Sequence, residues 1–245
     1  SQRNGENTMP TLEWIGKSKV VNHHQEVPFR VLERQYSFDE MGKHTEDNGS
    51  DNMIIHGDNL EALKALLPQY EGRVKCIYID PPYNTGNEKW CYNDNVNDPH
   101  IQKWLGEVVG KEGEDLTRHD KWLCMMYPRL MLLQKLLADD GFIFVSIDVF
   151  EYAYLRCIMD EIFGSANFRN CIAVRRGIKN VQAQFDEVQS LSLGHEYIYL
   201  YSKNPQAKLP KLSKGFEADK AGKWDTFWRG TDRPTMRYEI FGITP

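Results

Sequence analysis

Four consecutive residues, Asp80, Pro81, Pro82 and Tyr83, bring together a carboxylate, two prolines and an aromatic ring. We call them the proline turn. The preceding run, residues 74–79, is apolar and halts at prolines, which donate no amide to a sheet, so it predicts a buried strand that ends there. Because ligands of open α/β sheets bind beyond the carboxyl ends of the strands, the turn is expected to face a crevice.

This combination suits methyl transfer to the exocyclic amine of a nucleobase. The lone pair of such an amine is delocalised into the ring until hydrogen-bond acceptors localise it. Asp80 can accept one N–H and the Pro81 carbonyl the other. Tyr83 offers a flat face to a base swung out of a duplex, a contact worth about 1–3 kcal/mol. The four residues alone are equally compatible with a turn that merely ends a strand.

Longer segments around the proline turn help to distinguish a methyl-transfer site from a turn that merely ends a strand. Residues 55–63 read IHGDNLEAL and residues 76–86 read CIYIDPPYNTG. Together with residues 121–130, 141–148 and 195–203, they resemble the modification subunit of type III restriction-modification systems. The resemblance covers nearly the whole chain. It implies an amino-methyltransferase of the β motif order that transfers a methyl group from S-adenosylmethionine to N6 of an adenine flipped out of double-stranded DNA.

The same resemblance implies the fold, the partners and the cofactor contacts. The fold would be a Rossmann-like, doubly wound α/β sheet with circularly permuted motif order, mostly parallel and with helices on both faces. The full-length protein would work as a homodimer and pair with a helicase-nuclease restriction subunit. The residues expected to contact the cofactor are Asp58, Asp80, Asn84 and Thr85.

Asp58 has two interpretations. It precedes an apolar helical pattern, so its carboxylate can cap that helix by accepting from free amides. By the resemblance, it stands at the end of a strand beside the Asp80 strand, where related enzymes hold the adenine of the cofactor. A capping aspartate could serve both purposes, and both interpretations stay open.

Hydrophobic periodicity predicts the elements that position these residues. Strands are expected at residues 53–56, 74–79, 141–147, 170–174 and 196–201, the last two forming a hairpin. Helices are expected from Asp58 to Pro68, from His119 through a kink at Pro128, and from a capping box of Asp148 and Glu151 to Phe163.

The domain organisation follows from composition. Residues 1–52 are expected to be an N-terminal extension, in which residues 35–51 form an exposed loop. Residues 53–203 would form a partial catalytic domain. Residues 204–245 begin with a stretch rich in Lys, Pro and Gly and would start a target-recognition region.

The charge of the chain is unevenly distributed. The net charge is -5, but residues 169–245 carry 13 Lys and Arg against 8 Asp and Glu, whereas the preceding residues carry 17 against 27. A basic second half is compatible with DNA contact, although a solvated surface remains an alternative. The residues expected to contact DNA are Arg175, Arg176, Lys179, Gln182, Arg229 and Arg233.

Composition excludes several other classes of protein. The five cysteines, 76, 91, 124, 157 and 171, show no C-x-x-C spacing, which argues against a zinc site and a disulfide framework, so we expect small buried side chains and no metal. The chain has no apolar run near the ~20 residues that a membrane span requires. It also has no signal-like N-terminus, so a cytoplasmic protein is expected.

One expected motif is missing. The family binds S-adenosylmethionine chiefly through a Phe-x-Gly-x-Gly turn, and no such sequence occurs here. We therefore expect an N-terminal fragment of a longer protein, with part of the cofactor pocket and possible inactivity in isolation. Two alternatives stay open: methylation of cytosine N4, which poses the same chemical problem, and a non-catalytic DNA-recognition or assembly module.

Overall fold

The computed structural model describes six parts of the chain, which are residues 11–84, 103, 106–109, 117–175, 194–209 and, by their backbone alone, 238–244. These residues fall into two compact units. The first is drawn from residues 1–27 and 66–207, and the second from residues 28–65 and 208–245.

The described elements are both helices and strands. The strands are Val31–Asp39 (β1), Gly42–His44 (β2), Met53–His56 (β3), Val74–Ile79 (β4), Leu137–Ile147 (β5), Phe168–Arg175 (β6), His195–Ser202 (β7) and Tyr238–Thr244 (β8). The helices are Lys17–Val20 (α1), His23–Glu26 (α2), Asn59–Tyr70 (α3), Arg118–Leu136 (α4) and Tyr152–Phe163 (α5), and Ser165–Asn167 forms a 3-10 turn.

The sheet of the first unit has the strand order β4-β5-β7-β6. β4 and β5 are parallel, with Ile77 opposite Ile143, whereas β7 runs antiparallel to both β5 and β6. The predicted hairpin of β6 and β7 is confirmed. The prediction of a mostly parallel sheet is wrong for the described strands, because a hairpin reverses the chain and the sheet is therefore mixed.

The second unit holds another four-stranded sheet, in the order β2-β1-β8-β3. β1 and β2 form an antiparallel hairpin that turns between Asp39 and Gly42. The prediction of an exposed loop at residues 35–51 is therefore wrong for residues 35–44, whereas residues 45–51 form no helix or strand. The polar composition misled the prediction, since hairpin strands with one exposed face carry many polar residues.

Helix α3 also departs from its predicted end. Pro68 lies inside the helix, which continues to Tyr70. A proline removes one amide hydrogen bond. Here it stands in the last turn, and Glu71 N still donates to Leu67 O at 3.0 Å. The loss of one bond near the end does not terminate the helix.

Helix α4 lies in the core of the first unit. It begins with a capping box in which Thr117 Oγ1 accepts from Asp120 N at 3.2 Å and Asp120 Oδ2 accepts from Thr117 N at 2.9 Å. Residues all around this helix are buried; they are Trp122, Leu123, Cys124, Met125, Met126, Tyr127, Pro128, Leu130, Leu132, Leu133 and Leu136. Because α4 is buried on all of its faces, it is a rigid support for the residues that contact its first turns.

Helix α5 ends at Phe163, as predicted, and Gly164 follows it as the C-cap with a positive φ of 89°, but the helix begins only at Tyr152, after the predicted capping box. It packs on β7, whose Tyr199 and Tyr201 are buried. Tyr201 donates to Asp160 Oδ1 at 2.7 Å, and Tyr199 donates to Tyr152 O at 3.2 Å. The hairpin is thus joined to the helix by buried, hydrogen-bonded rings.

The N-terminal segment of the first unit packs on α4. Trp14 Nε1 donates to Cys124 Sγ at 3.3 Å. Lys17 Nζ lies 3.0 Å from Glu161 Oε2, and Tyr127 donates to Glu161 Oε1 at 2.9 Å. Residues within the predicted N-terminal extension therefore contribute to the core of the first unit.

The cysteines are only partly as predicted. Cys124 is buried, whereas Cys76 and Cys157 are exposed and Cys171 is intermediate. Cys91 lies outside the described residues. The prediction of buried side chains is wrong for Cys76 and Cys157.

The junction of α4 and β5 has no connecting loop and generates our first prediction. A Cβ on Gly141 would lie 2.8 Å from Leu137 Cδ1 and 2.9 Å from the carbonyl oxygens of Ala138 and Val74. We expect Gly141→Ala to lower the free energy of unfolding by about 1–3 kcal/mol, because two of these atoms are backbone and cannot move aside. Gly106→Ala is the control, since nothing described lies within 4 Å of its Cβ position. Equal denaturation midpoints for the two variants would contradict the prediction.

Candidate active site

The proline turn follows β4 directly, at the carboxyl end of the strand. Asp80 is exposed there. Ser146 Oγ on the neighbouring strand β5 lies 2.8 Å from Asp80 Oδ1. Parallel pairing of Ile79 with Val145 sets this contact, because the residues that follow each of them are then neighbours. The carboxylate is therefore fixed by the sheet and still open to solvent.

The two proline carbonyls differ in their contacts. Pro82 O accepts from Trp122 Nε1 at 2.6 Å, and Trp122 is fully buried in α4. No described residue donates to Pro81 O. The arrangement leaves the Pro81 carbonyl and the exposed Asp80 carboxylate as two neighbouring acceptors.

Tyr83 is half-buried, and its pKa is raised well above the ordinary value. Burial is the main cause; the Asp80 carboxylate raises the pKa further, while the Ser146 hydroxyl opposes the shift. The phenol therefore stays protonated and neutral at physiological pH. A neutral ring beside Asp80 suits stacking on a base.

Asn84, the residue after the turn, is a structural anchor. It has a positive φ of 56°, and its side chain is buried with 1% exposure. Its Nδ2 donates to Arg118 O at 3.1 Å and to Glu151 Oε1 at 2.5 Å. One amide group thus attaches the end of the turn to the beginnings of α4 and α5.

Glu151 is the partner of Asn84, and its side chain has no exposure to solvent. Its Oε1 also contacts His119 Nδ1 at 2.8 Å, and the His119 ring lies 4.8 Å from the ring of Tyr154. Burial raises the pKa of Glu151, while Asn84, His119 and Arg118 oppose the shift. In the described part of the chain, Asn84 Oδ1 and Glu151 Oε2 are buried and have no hydrogen-bond partner.

The predicted capping box of Asp148 and Glu151 is wrong. Glu151 occupies the N-cap position of α5 but makes no side-chain capping bond. Asp148 Oδ1 accepts from Phe150 N at 2.9 Å instead. The Glu151 carboxylate turns inward because Asn84 and His119 supply donors in the interior.

Asp58 caps α3, as one of its two interpretations predicts. Its Oδ1 accepts from Leu60 N at 2.9 Å and from Glu61 N at 3.2 Å. β3, which precedes it, pairs with β8, whereas β4 pairs with β5. The expectation that Asp58 follows a strand next to the Asp80 strand stays a prediction, because β3 and β4 belong to different units.

The remaining predicted contacts are only partly described. Arg175 is exposed at the end of β6, where its backbone pairs with His195. Thr85 and the predicted DNA contacts Arg176, Lys179, Gln182, Arg229 and Arg233 lie outside the described residues. Their roles stay predictions.

Sequence reasoning missed three residues that contact the turn, namely Ser146, Trp122 and Glu151. Ser146 interrupts an otherwise apolar strand, and that polar interruption is the signal that could have identified it. Trp122 looked like an ordinary core residue. Glu151 matched the spacing of a capping box, which concealed its contact with Asn84.

No group of three His, Cys, Asp or Glu side chains that could hold a metal ion occurs among residues that the structure describes. No helix in the described ranges is long and apolar enough to cross a membrane.

An exposed carboxylate, a neighbouring carbonyl and an aromatic ring at the end of a strand form a site that can accept hydrogen bonds from a planar amine. The DNA methylase family of N6 and N4 methyltransferases matches residues 74–238. This match covers more than half of the chain, and the chain therefore belongs to that family.

Within the family, the chain is a homologue of type III modification subunits. It is 37% identical over 205 residues to the type III restriction-modification enzyme EcoPI Mod subunit of Escherichia phage P1, covering 79% of this chain and 30% of that protein. It is 41% identical over 165 residues to the probable type III HindVI Mod subunit of Haemophilus influenzae, covering 67% and 19%. The chain spans less than a third of the length of these relatives.

A type II enzyme and two solved structures are also similar. The type II methyltransferase M.KpnI of Klebsiella pneumoniae is 32% identical over 220 residues, covering 84% of this chain and 49% of that protein. The structure of an M1.HpyAVI–SAM complex has a TM-score of 0.38 at 14% identity, covering 67% of this chain and 64% of the other. The PvuII cytosine-N4-specific DNA methyltransferase has a TM-score of 0.38 at 14% identity, covering 64% and 51%.

The contact between Trp122 and Pro82 generates a prediction. We expect Trp122→Phe to lower the free energy of unfolding by about 1–3 kcal/mol, because the Pro82 carbonyl loses its donor and the interior loses volume. Trp14→Phe is the matched control, since its indole donates only to a thiol sulfur. Urea denaturation measures both, and a larger loss in Trp14→Phe would contradict the prediction.

The buried Glu151 generates a prediction about pH. Because the folded protein raises the pKa of this carboxyl, the folded state holds its proton more tightly than the unfolded state. The wild-type protein should therefore lose stability relative to Glu151→Gln as pH rises from the ordinary glutamate value of 4.5 towards about pH 7. Glutamine does not titrate but keeps an oxygen that can accept from Asn84 and His119. A stability difference that does not change with pH would contradict this.

Proposed function

We propose that the protein carrying this chain is a site-specific DNA methyltransferase that transfers a methyl group from S-adenosylmethionine to N6 of an adenine extruded from double-stranded DNA. The observation that supports this most strongly is the pair of acceptors in the proline turn. Asp80 is exposed and fixed by Ser146, and the adjacent Pro81 carbonyl accepts from no described residue. Such a pair can take both N–H groups of one planar amine.

The residues of the turn have separate roles in this reaction. The Asp80 carboxylate and the Pro81 carbonyl accept the two amine hydrogens and draw the nitrogen lone pair out of the ring. Tyr83 stacks on the extruded base. As the N–C bond forms, positive charge develops on the amine, and the adjacent carboxylate stabilises that charge and takes the released proton.

The methyl donor supplies an electrophilic methyl group on a sulfonium. Among the residues predicted to contact it, Asp80 fits best, because its exposed carboxylate can face a positive charge. Asp58 Oδ1 caps α3, and we propose that the carboxylate that caps the helix also contacts the cofactor. Asn84 is buried and its amide donates to Arg118 and Glu151, so we propose that it supports the pocket from behind.

Adenine N6 and cytosine N4 remain the two candidate targets. The aspartate at the first position of the turn favours adenine, since N4 enzymes of the family more often have serine there. Transfer of a tritiated methyl group, followed by separation of the modified bases, distinguishes the two.

The proposed partners follow from the relatives. Their names identify them as Mod subunits of type III restriction-modification enzymes. We propose that the protein likewise partners a restriction subunit, works as a homodimer and contacts DNA through Arg175 and the basic residues beyond it. We also propose residues 53–203 as catalytic and residues 204–245 as the start of the recognition region.

Removal of the Asp80 carboxylate tests the proposed chemistry. We expect Asp80→Ala to lower the rate of methyl transfer to DNA by at least about 100-fold, because one acceptor for the amine is lost. The fold should persist, since Asp80 lies in an exposed turn. Asp51→Asn, an exposed position outside the turn, is the control for a general effect of charge. Transfer at the wild-type rate by folded Asp80→Ala would refute the proposal.

Calorimetric titration of S-adenosylmethionine tests the role of Asp58. Asp58→Ala removes the helix cap, a loss of about 1 kcal/mol in stability, whereas Asp58→Asn keeps the cap and loses the charge. If the carboxylate contacts the cofactor, both variants bind it more weakly than the wild type. Wild-type affinity in Asp58→Asn would limit Asp58 to its capping role.

A further inference from the structure

Ser146 contacts three groups of the proline turn region. Its Oγ lies 2.8 Å from Asp80 Oδ1, 3.3 Å from Ile79 O and 3.0 Å from the Tyr78 hydroxyl. It is buried, with 4% exposure, in the middle of the sheet. A buried hydroxyl in an apolar strand needs partners, and all of these partners belong to β4 or to the turn that follows it.

The proton inventory fixes the direction of these bonds. A serine hydroxyl has one hydrogen, so Asp80 and Ile79 compete for it. The shorter distance and the negative charge favour the Asp80 carboxylate. With that hydrogen committed, the contact between Ser146 and Tyr78 requires the Tyr78 hydroxyl to donate. The result is a directed chain from Tyr78 to Ser146 to Asp80.

We infer that Ser146 and Tyr78 are positioning residues for Asp80, which hold Oδ1 in place so that Oδ2 is presented to the amine of the target base. This inference rests on the proposed function. Ser146 Oγ donates to Asp80 Oδ1 at 2.8 Å, and the Tyr83 hydroxyl also interacts with the Asp80 carboxylate.

Positioning residues such as Ser146 and Tyr78 are needed because an exposed carboxylate can rotate. Rotation about its terminal bond exchanges the two oxygens, and an acceptor that turns away from the amine contributes nothing to the transition state. A donor fixed in a β-strand removes that freedom before the base arrives. Misplacement of a reacting group by about 1 Å can lower a rate by about 100-fold.

The test compares four variants in methyl transfer to DNA. We expect Ser146→Ala to lower kcat by about tenfold or more with KM values for DNA and S-adenosylmethionine within about twofold, because the lost interaction matters in the transition state. Ser146→Thr keeps the hydroxyl and should restore most of kcat, and Tyr78→Phe should fall between the wild type and Ser146→Ala. Ser202→Ala, which removes another buried serine of the same sheet, should leave kcat unchanged.

A second measurement does not depend on activity. If Ser146 acts on Asp80 directly, the shifts in denaturation midpoint caused by Ser146→Ala and Asp80→Ala should be non-additive in the double variant. Additive shifts, or an unchanged kcat in Ser146→Ala, would overturn the inference. If Asp80→Ala loses methyl transfer and Ser146→Ala does not, the inference fails but the proposed function stands. Retained transfer by Asp80→Ala would refute the proposed function itself.

Discussion

The two consecutive prolines of the proline turn have no backbone N–H groups. The turn therefore lacks the amide donors that form the internal hydrogen bonds of most turns. The turn must therefore be held from outside, and side chains of its neighbours do this. Trp122 donates to the Pro82 carbonyl, Ser146 to the Asp80 carboxylate, and Asn84 attaches the end of the turn to the starts of α4 and α5. Trp122 belongs to a buried helix and Ser146 to the sheet, so the acceptors are pre-organised before any ligand binds.

The position of the turn was predictable from the sequence, because an apolar run that stops at prolines has few alternatives. The hairpin of β6 and β7 was also predictable from its alternating pattern. The partners of the turn were not, since Trp122 and Ser146 are tens of residues away and one-dimensional periodicity carries no information on which strand lies beside another. The same limit explains β3, whose pairing with β8 no sequence pattern indicated.

Each of the errors has a physical cause. Pro68 lies within α3, Glu151 turns away from the helix that it was expected to cap, and residues 35–51 include a hairpin. Pro68 stands too near the end of α3 to terminate it, the hairpin is built from strands of polar composition, and at Glu151 interior contacts outweighed a cap worth about 1 kcal/mol. Glu151 is the clearest example, because a buried carboxylate with two interior donors gains more than an exposed cap provides. Local sequence preferences determine where a helix or strand begins only when tertiary contacts do not favour another arrangement.

The distance in sequence between Asp80 and Ser146 has a consequence for folding. The two residues are 66 positions apart, so their contact forms only after the intervening chain, which contains α4, has been brought back beside β4. Contacts of long sequence separation carry a large loop-closure cost and form late. During synthesis on the ribosome, the hairpin of β6 and β7 emerges after β5. It therefore cannot replace the pairing of β5 with β4 as the step that orients Asp80. Asp80 lies in the first third of the chain, but its carboxylate is oriented only after β5 has emerged and paired with β4.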